Sequence, residues 1–183
     1  MQNTSDQFDN IAQQCIELFS KKTFDYGTAW KILRVSSITD QIFIKASRIR
    51  SIQEKGVAKI NEGIIPEFIG IVNYSAMALM QLETGVAEDG YTSFGAEEAI
   101  QKFKDYLQNA KNLMLDKNHD YGEAWRKMRI SSLTDIILMK LLRIKQIEDH
   151  AGKTLVSEGL DANYYDIINY AMFALIRLII EKE

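Results

Sequence analysis

The sequence predicts an all-α protein: a helical bundle built from two tandem three-helix repeats related by a pseudo-twofold. Three observations carry that prediction. The 183 residues include one proline and ten glycines, so little interrupts helix. Apolar residues recur at three- and four-residue spacing over long stretches, the pattern of amphipathic helices. Residues 25–55 then return at 120–150 with a constant offset of 95 and 15 identities in 31 positions. Polar residues are kept as carefully as apolar ones: Asp25-Tyr26-Gly27-x-Ala29-Trp30 reappears as Asp120-Tyr121-Gly122-x-Ala124-Trp125. After a one-residue insertion, Asn73-Tyr74 matches Asn169-Tyr170.

The repeats divide the chain at 1–84 and 95–183, with 85–94 as linker. Phe8, Ile11, Ala12, Cys15, Leu18 and Phe19 stripe an opening helix that should end near Lys22. Ile100, Phe103, Leu107, Ala110 and Met114 do the same in the second repeat, ending near Lys117. Asp25 to Ser37, with Gly27, reads as a loop plus a short helix around Trp30. Ser37-x-x-Asp40 and Ser132-x-x-Asp135 each fit a capping box with the serine at the N-cap, opening helices that run to about Lys55 and His150. Ile136, Ile137, Leu138, Met139, Leu141, Leu142, Ile144 and Ile147 make the second of these apolar on most sides, which predicts a place in the middle of the bundle. Third helices follow Glu62-Gly63 and Glu158-Gly159, with Pro66 tolerated in a first turn. The linker carries glycine, acid and small polar residues without a helical stripe.

A net charge of −3 offers no clustered basic footprint for duplex nucleic acid. The single cysteine, Cys15, rules out an internal disulfide and fits a reducing compartment. Met1 to Asp6 lack the basic and apolar regions of a signal peptide. The most apolar stretch, Ile167 to Ile180, is broken by Asn169 and Arg177 and is too short to span a bilayer. These features predict a cytoplasmic protein without a membrane partner, and they leave a homo-oligomer open.

Chemistry-bearing groups cluster at repeated positions. Lys140 and Arg143 share a helix face, as do Lys45 and Arg48, and both residue types suit phosphate. Glu148 and Asp149 lie beyond Arg143, and Asp166 opens the third helix; carboxylates on facing helices could hold Mg2+ with substrate phosphates, making Glu148, Asp149 and Asp166 candidate catalytic and metal residues. Asp120, Tyr121, Asn169 and Tyr170, with Asn73 and Tyr74, are candidate base contacts, because aromatic faces stack on bases and an amide offers donor and acceptor. The first repeat has Gly70 where the second has Asp166, and Glu67 where it has Asn163, so its site is partly degenerate. A different reading fits the same residues: a non-catalytic module in which the repeated charges form ion pairs across the pseudo-twofold. Asp40 and Asp135 are read as caps, Lys145–Asp149 as a local pair, and Trp30 and Trp125 as core.

The Asp-Tyr-Gly-x-x-Trp, Lys-x-x-Arg-Ile and Asp-x-x-Asn-Tyr elements resemble the family called domain of unknown function 1599, or nucleotide modification associated domain 1, in two copies. That resemblance implies a helical domain tied to nucleotide or nucleobase metabolism. A looser similarity, to the all-α nucleoside triphosphate pyrophosphohydrolases of the MazG and dimeric dUTPase type, rests on Leu142-Arg143-Ile144, Glu148-Asp149 and Asp166. It implies magnesium-dependent hydrolysis of a phosphoanhydride, although Gly152 falls where a third acid of that motif would be. The expectation is thus a nucleotide-binding or nucleotide-processing protein, leaning to a pyrophosphohydrolase-like enzyme.

Overall fold

The structure, a computed structural model, describes residues 3–56, 63–88 and 94–183. Six helices order the chain: α1 (Thr4–Tyr26), α2 (Val35–Lys55), α3 (Ile64–Thr84), α4 (Ala96–Tyr121), α5 (Ile130–Asp149) and α6 (Leu160–Leu175). Short 3-10 turns, Ala29–Ile32 and Ala124–Lys127, precede α2 and α5, and a π-helical turn, Ile176–Ile180, prolongs α6. Part of the linker, residues 89–93, lies outside the described residues, as does Glu62 at the predicted entry to α3.

The opening helices outrun their apolar stripes by one turn, ending at Tyr26 and Tyr121 rather than near Lys22 and Lys117. Gly27 (φ 61, ψ −141) and Gly122 (φ 63, ψ −159) stop them, in a backbone region that only glycine enters without strain. Nothing lies within 4 Å of a Cβ placed on Gly122, so Gly122→Ala would meet backbone strain alone. Urea denaturation should show that variant destabilised by about 1–3 kcal/mol; an unchanged midpoint would refute this account of the turn.

The predicted serine caps are corrected. Arg34 and Arg129, in extended backbone, are the N-caps of α2 and α5, and neither helix start has a side-chain cap bond. The preceding 3-10 turn delivers the chain already aimed along the helix axis. The Arg34 carbonyl accepts from Ser37 N at 3.0 Å and Ile38 N at 3.2 Å, which places Ser37 inside the first turn. Asp40 and Asp135 therefore point sideways and serve another purpose: Lys145 pairs with Asp40 at 3.2 Å, and Arg50 with Asp135 at 3.6 Å. The expected Lys145–Asp149 pair gives way to the first of these.

Those two contacts exchange partners between the repeats, and a second couple does the same. Thr39 Oγ1 donates to Glu148 at 2.7 Å, while Gln53 donates to Thr134 Oγ1 at 3.1 Å. Residue i on α2 meets j on α5 while their counterparts meet in reverse, which is the arrangement a pseudo-twofold requires. Like elements pack on like: α1 on α4, α2 on α5 and α3 on α6.

The middle of the bundle belongs to α3 and α6, not to α5 as its apolar character predicts. Each central helix contacts both α1 and α4 as well as its own repeat's second helix. Phe68, Ile71, Val72 and Ala76 on one, with Tyr164, Ile167, Ile168 and Ala171 on the other, are fully buried. By length and composition α3 could cross a membrane, yet 61% of that window is buried inside the bundle. Flanking α5 keeps Ile137, Leu141 and Ile144 inside but leaves Met139 42% and Leu142 55% exposed. Stacked Phe19 and Phe103 (centroids 4.2 Å apart, planes 9°) close the core between α1 and α4.

Candidate functional site: a cleft built twice

Each repeat forms a cleft where the end of its first helix, the glycine turn and its third helix meet. In the second repeat the cleft encloses about 470 Å3. Lys117 and Asn118 on α4, Tyr121, Gly122 and Trp125 around the turn, and Asp166, Asn169, Tyr170 and Phe173 on α6 line it. Every lining residue except Glu158 has its repeat counterpart in one of two adjoining first-repeat pockets of about 260 and 300 Å3, which share Phe19, Lys22, Tyr74 and Met77. The counterpart of Glu158 is Glu62, outside the described residues. The repeated Asp-Tyr-Gly-x-x-Trp and Asn-Tyr elements are therefore walls of one cleft in each half.

Two buried polar atoms on the residues of each cleft wall have no hydrogen-bond partner among the described residues. In the second repeat they are Trp125 Nε1 and Asn169 Oδ1, on residues each only 5% exposed. In the first they are Trp30 Nε1 and Asn73 Oδ1, with Asn73 6% exposed. Buried polar groups are nearly always satisfied, so an unpartnered one calls for a physical reason. Chance does not readily select the same donor and acceptor in both copies. Asn169 is fixed by its own amide, which donates to the Ala110 carbonyl at 3.0 Å and leaves Oδ1 as a buried acceptor without a partner. Trp125 stacks on Phe173 at 4.3 Å with planes 5° apart, so its packing role is real and its N–H is left over.

The charges are arranged differently in the two clefts. In the second, one carboxylate bridges two lysines: Asp166 accepts from Lys117 at 2.7 Å and from Lys140 at 2.8 Å. Burial pulls the Lys117 ammonium downward, but the Asp166 carboxylate outweighs that and leaves its pKa raised. In the first, Glu67, one helical turn earlier, takes Arg48 at 2.7 Å and Lys45 at 3.6 Å. Lys45 folds onto Gly70 and lies over the Tyr74 ring at 5.7 Å.

The candidate phosphate cations thus divide. Lys45, Arg48 and Lys140 have carboxylate partners, while Arg143 is exposed and has none among the described residues. Arg143, Lys140, His150 and Lys153 line an open pocket of about 960 Å3, which meets the aromatic cleft at Glu158.

The three-carboxylate site predicted from Glu148, Asp149 and Asp166 does not form. Glu148 lies two turns beyond Lys140, about 12 Å along α5, and faces α2, where Thr39 Oγ1 bonds both it and Tyr164 Oη (2.5 Å). Asp149 is exposed at the end of α5. Both oxygens of Asp166 hold lysines. Among the described residues no three carboxylate, imidazole or thiol groups come together, so this donor set does not fit a magnesium ion. Asp120 also falls outside the cleft; it is exposed and pairs with His119 at 3.2 Å.

Glu148 is explained by the helix interface. Burial first, then Asp40 and Asp149 nearby, raise its pKa against the opposing Thr39 bond. A carboxyl whose folded pKa is raised stabilises the fold while protonated and loses that contribution as pH climbs through the folded value. Glu148→Gln, which copies Gln53 of the first repeat, should therefore raise the melting temperature at pH 7 and lose the advantage near pH 4. A variant that is less stable at pH 7 would contradict this.

Lys22 and Lys117 were missed as cleft residues. They are identical at the same offset of 95 but stand just before the long matched segment, and read there as helix ends. Glu158, repeated as Glu62 before the glycine that opens the third helix, was read only as a helix-entry mark.

A tandem, all-helical protein carrying the same aromatic, amide-walled cleft in both halves is the class that fold and site define. The chain belongs to the domain of unknown function 1599 family, described as nucleotide modification associated domain 1, which it matches over residues 22–82 and 117–178. The two matches start at the cleft lysines, 95 residues apart, and end 96 apart, as the internal repeat does. No curated protein and no solved structure matches the chain.

Proposed function

We propose that the second repeat's cleft binds a nucleotide, with the base against Tyr121, Tyr170 and Trp125 and the phosphates toward Arg143 and Lys153. The observation that carries this reading is a buried donor and acceptor without partners, Trp125 Nε1 and Asn169 Oδ1, on two residues that line an aromatic cleft of about 470 Å3. A base presents acceptor and donor atoms on one edge and a π-face for stacking. The family description points the same way. The neighbouring pocket supplies Arg143, a guanidinium free to take phosphate bidentately.

Binding is better supported than hydrolysis. The MazG-type reading needs acids that share an ion, and Asp166 is committed to two lysines. The scaffold alternative accounts for part of the repeat: Asp40, Asp135, Thr39 and Thr134 have reciprocal partners across α2 and α5. It leaves unexplained the indole N–H and the asparagine Oδ1 that are unpartnered in both clefts among the described residues.

Thermal shift against nucleobases, nucleosides and nucleotides, with pyrophosphate release followed in parallel, tests the proposal. A ligand that binds only the folded form raises its melting temperature. Asn169→Leu should abolish the rise while the protein stays folded. A panel without any stabilising compound, or a shift indifferent to Asn169→Leu, would end this reading.

A further inference from the structure

The two clefts differ most at one position. Asp166 places a carboxylate between Lys117 and Lys140, and its counterpart Gly70 places nothing between Lys22 and Lys45. Lys22 and Lys45 both line the first repeat's cleft, and Lys22 has no hydrogen-bond or ion-pair partner among the described residues. Glu67, which lines the same cleft, is held closely by Arg48 and only loosely by Lys45. In the same cleft, Asn73, 6% exposed, leaves its Oδ1 without a partner.

We infer that the first repeat's cleft is a phosphate-binding site, in which a phosphate group lies between Lys22 and Lys45 where Asp166 places its carboxylate in the second repeat. The second repeat supplies the template, because one carboxylate there satisfies both lysines through its two oxygens. A phosphate offers the same pair of acceptors with more charge. Lys45 now fills the space over Gly70, its Cε 2.7 Å from an ideal Cβ, but it is the far end of a flexible side chain and can swing toward an anion. A protonated phosphate oxygen could in addition donate to Asn73 Oδ1. The first half of the chain is therefore a different binding site rather than a decayed copy, and it stands independently of nucleotide binding in the second.

Titration calorimetry with inorganic phosphate tests this on the full chain. One site per chain is expected. Gly70→Asp builds the bridging carboxylate into the first repeat and should abolish that binding while raising stability. Lys22→Met changes an exposed side chain and should weaken phosphate about tenfold or more, the usual effect of losing a charged contact. If Gly70→Asp fails to fold, Lys22→Met alone decides the matter. A nucleoside monophosphate forms the second arm. Equal affinity assigns the site to free phosphate; tighter binding that Lys22→Met weakens assigns it to a phosphate ester whose base reaches Tyr26 and Trp30 in the adjoining pocket. No phosphate heat in the unaltered protein, or full binding retained in both variants, overturns the inference. Because inorganic phosphate lacks a base and the variants lie in the first repeat, failure of that arm leaves the nucleotide proposal untouched, and the converse holds.

Discussion

Asp166→Ala is expected to lower the unfolding free energy by about 3 kcal/mol, the range for removing one member of a buried ion pair. The loss comes from what is left behind. Lys140, whose side chain is 14% exposed, would keep a charge in a poorly solvated place, whereas Lys117, 51% exposed, can turn to water. Glu67→Gln in the first repeat should cost less, about 1 kcal/mol, because Lys45 and Arg48 are each 26% exposed. Urea denaturation of both variants gives the comparison. A further consequence separates charge from packing: Asp166→Ala leaves two lysines around an open space, so added phosphate should stabilise it more than the unaltered protein. Equal losses in the two variants would mean that the Asp166 bridge is no tighter than a surface pair.

Fold class and helix order were legible because apolar spacing and a scarcity of breakers act locally, within each helix. Helix starts were not. Ser37 and Ser132 matched a cap pattern, but a 3-10 turn upstream fixed the start at the Arg34 and Arg129 carbonyls, and pattern matching weighs side chains alone. Burial order was missed for a similar reason. The nearly continuous apolar run of α5 marks it as a core helix when that helix is read alone, yet α3 and α6 are the more apolar helices overall and they make the contact with both α1 and α4. At the site, the internal repeat picked out the right stretches without sorting their roles. Thr39, Asp40 and Glu148 proved to serve the α2–α5 interface, Asn169 and Trp125 the cleft, and both sets recur because both halves need both. Which acid meets which lysine was beyond reach. Glu67 and Asp166 are a helical turn apart in repeat register, and only the folded side chains show that each takes the matched lysine, Lys45 or Lys140, together with a different second cation, Arg48 or Lys117.

Trp125 separates the packing and recognition roles of the cleft. Trp125→Ala removes a ring that is 5% exposed and stacked on Phe173, so it should cost about 3–5 kcal/mol, as truncations of buried aromatics do. It also forfeits the Arg126 guanidinium that lies 4.3 Å from the indole centroid. Trp125→Phe isolates the N–H. It keeps a ring against Phe173 and loses no hydrogen bond in the unliganded protein, because Nε1 has none to lose. Its stability cost should be limited to the smaller ring, about 1–2 kcal/mol. If Nε1 donates to a bound base, the same variant should weaken nucleotide binding by roughly tenfold, the weight of one hydrogen bond in a buried site. The two readouts must part company. Trp125→Phe that binds nucleotide as well as the unaltered protein would make the indole a packing group alone, and Asn169 would then carry base recognition by itself.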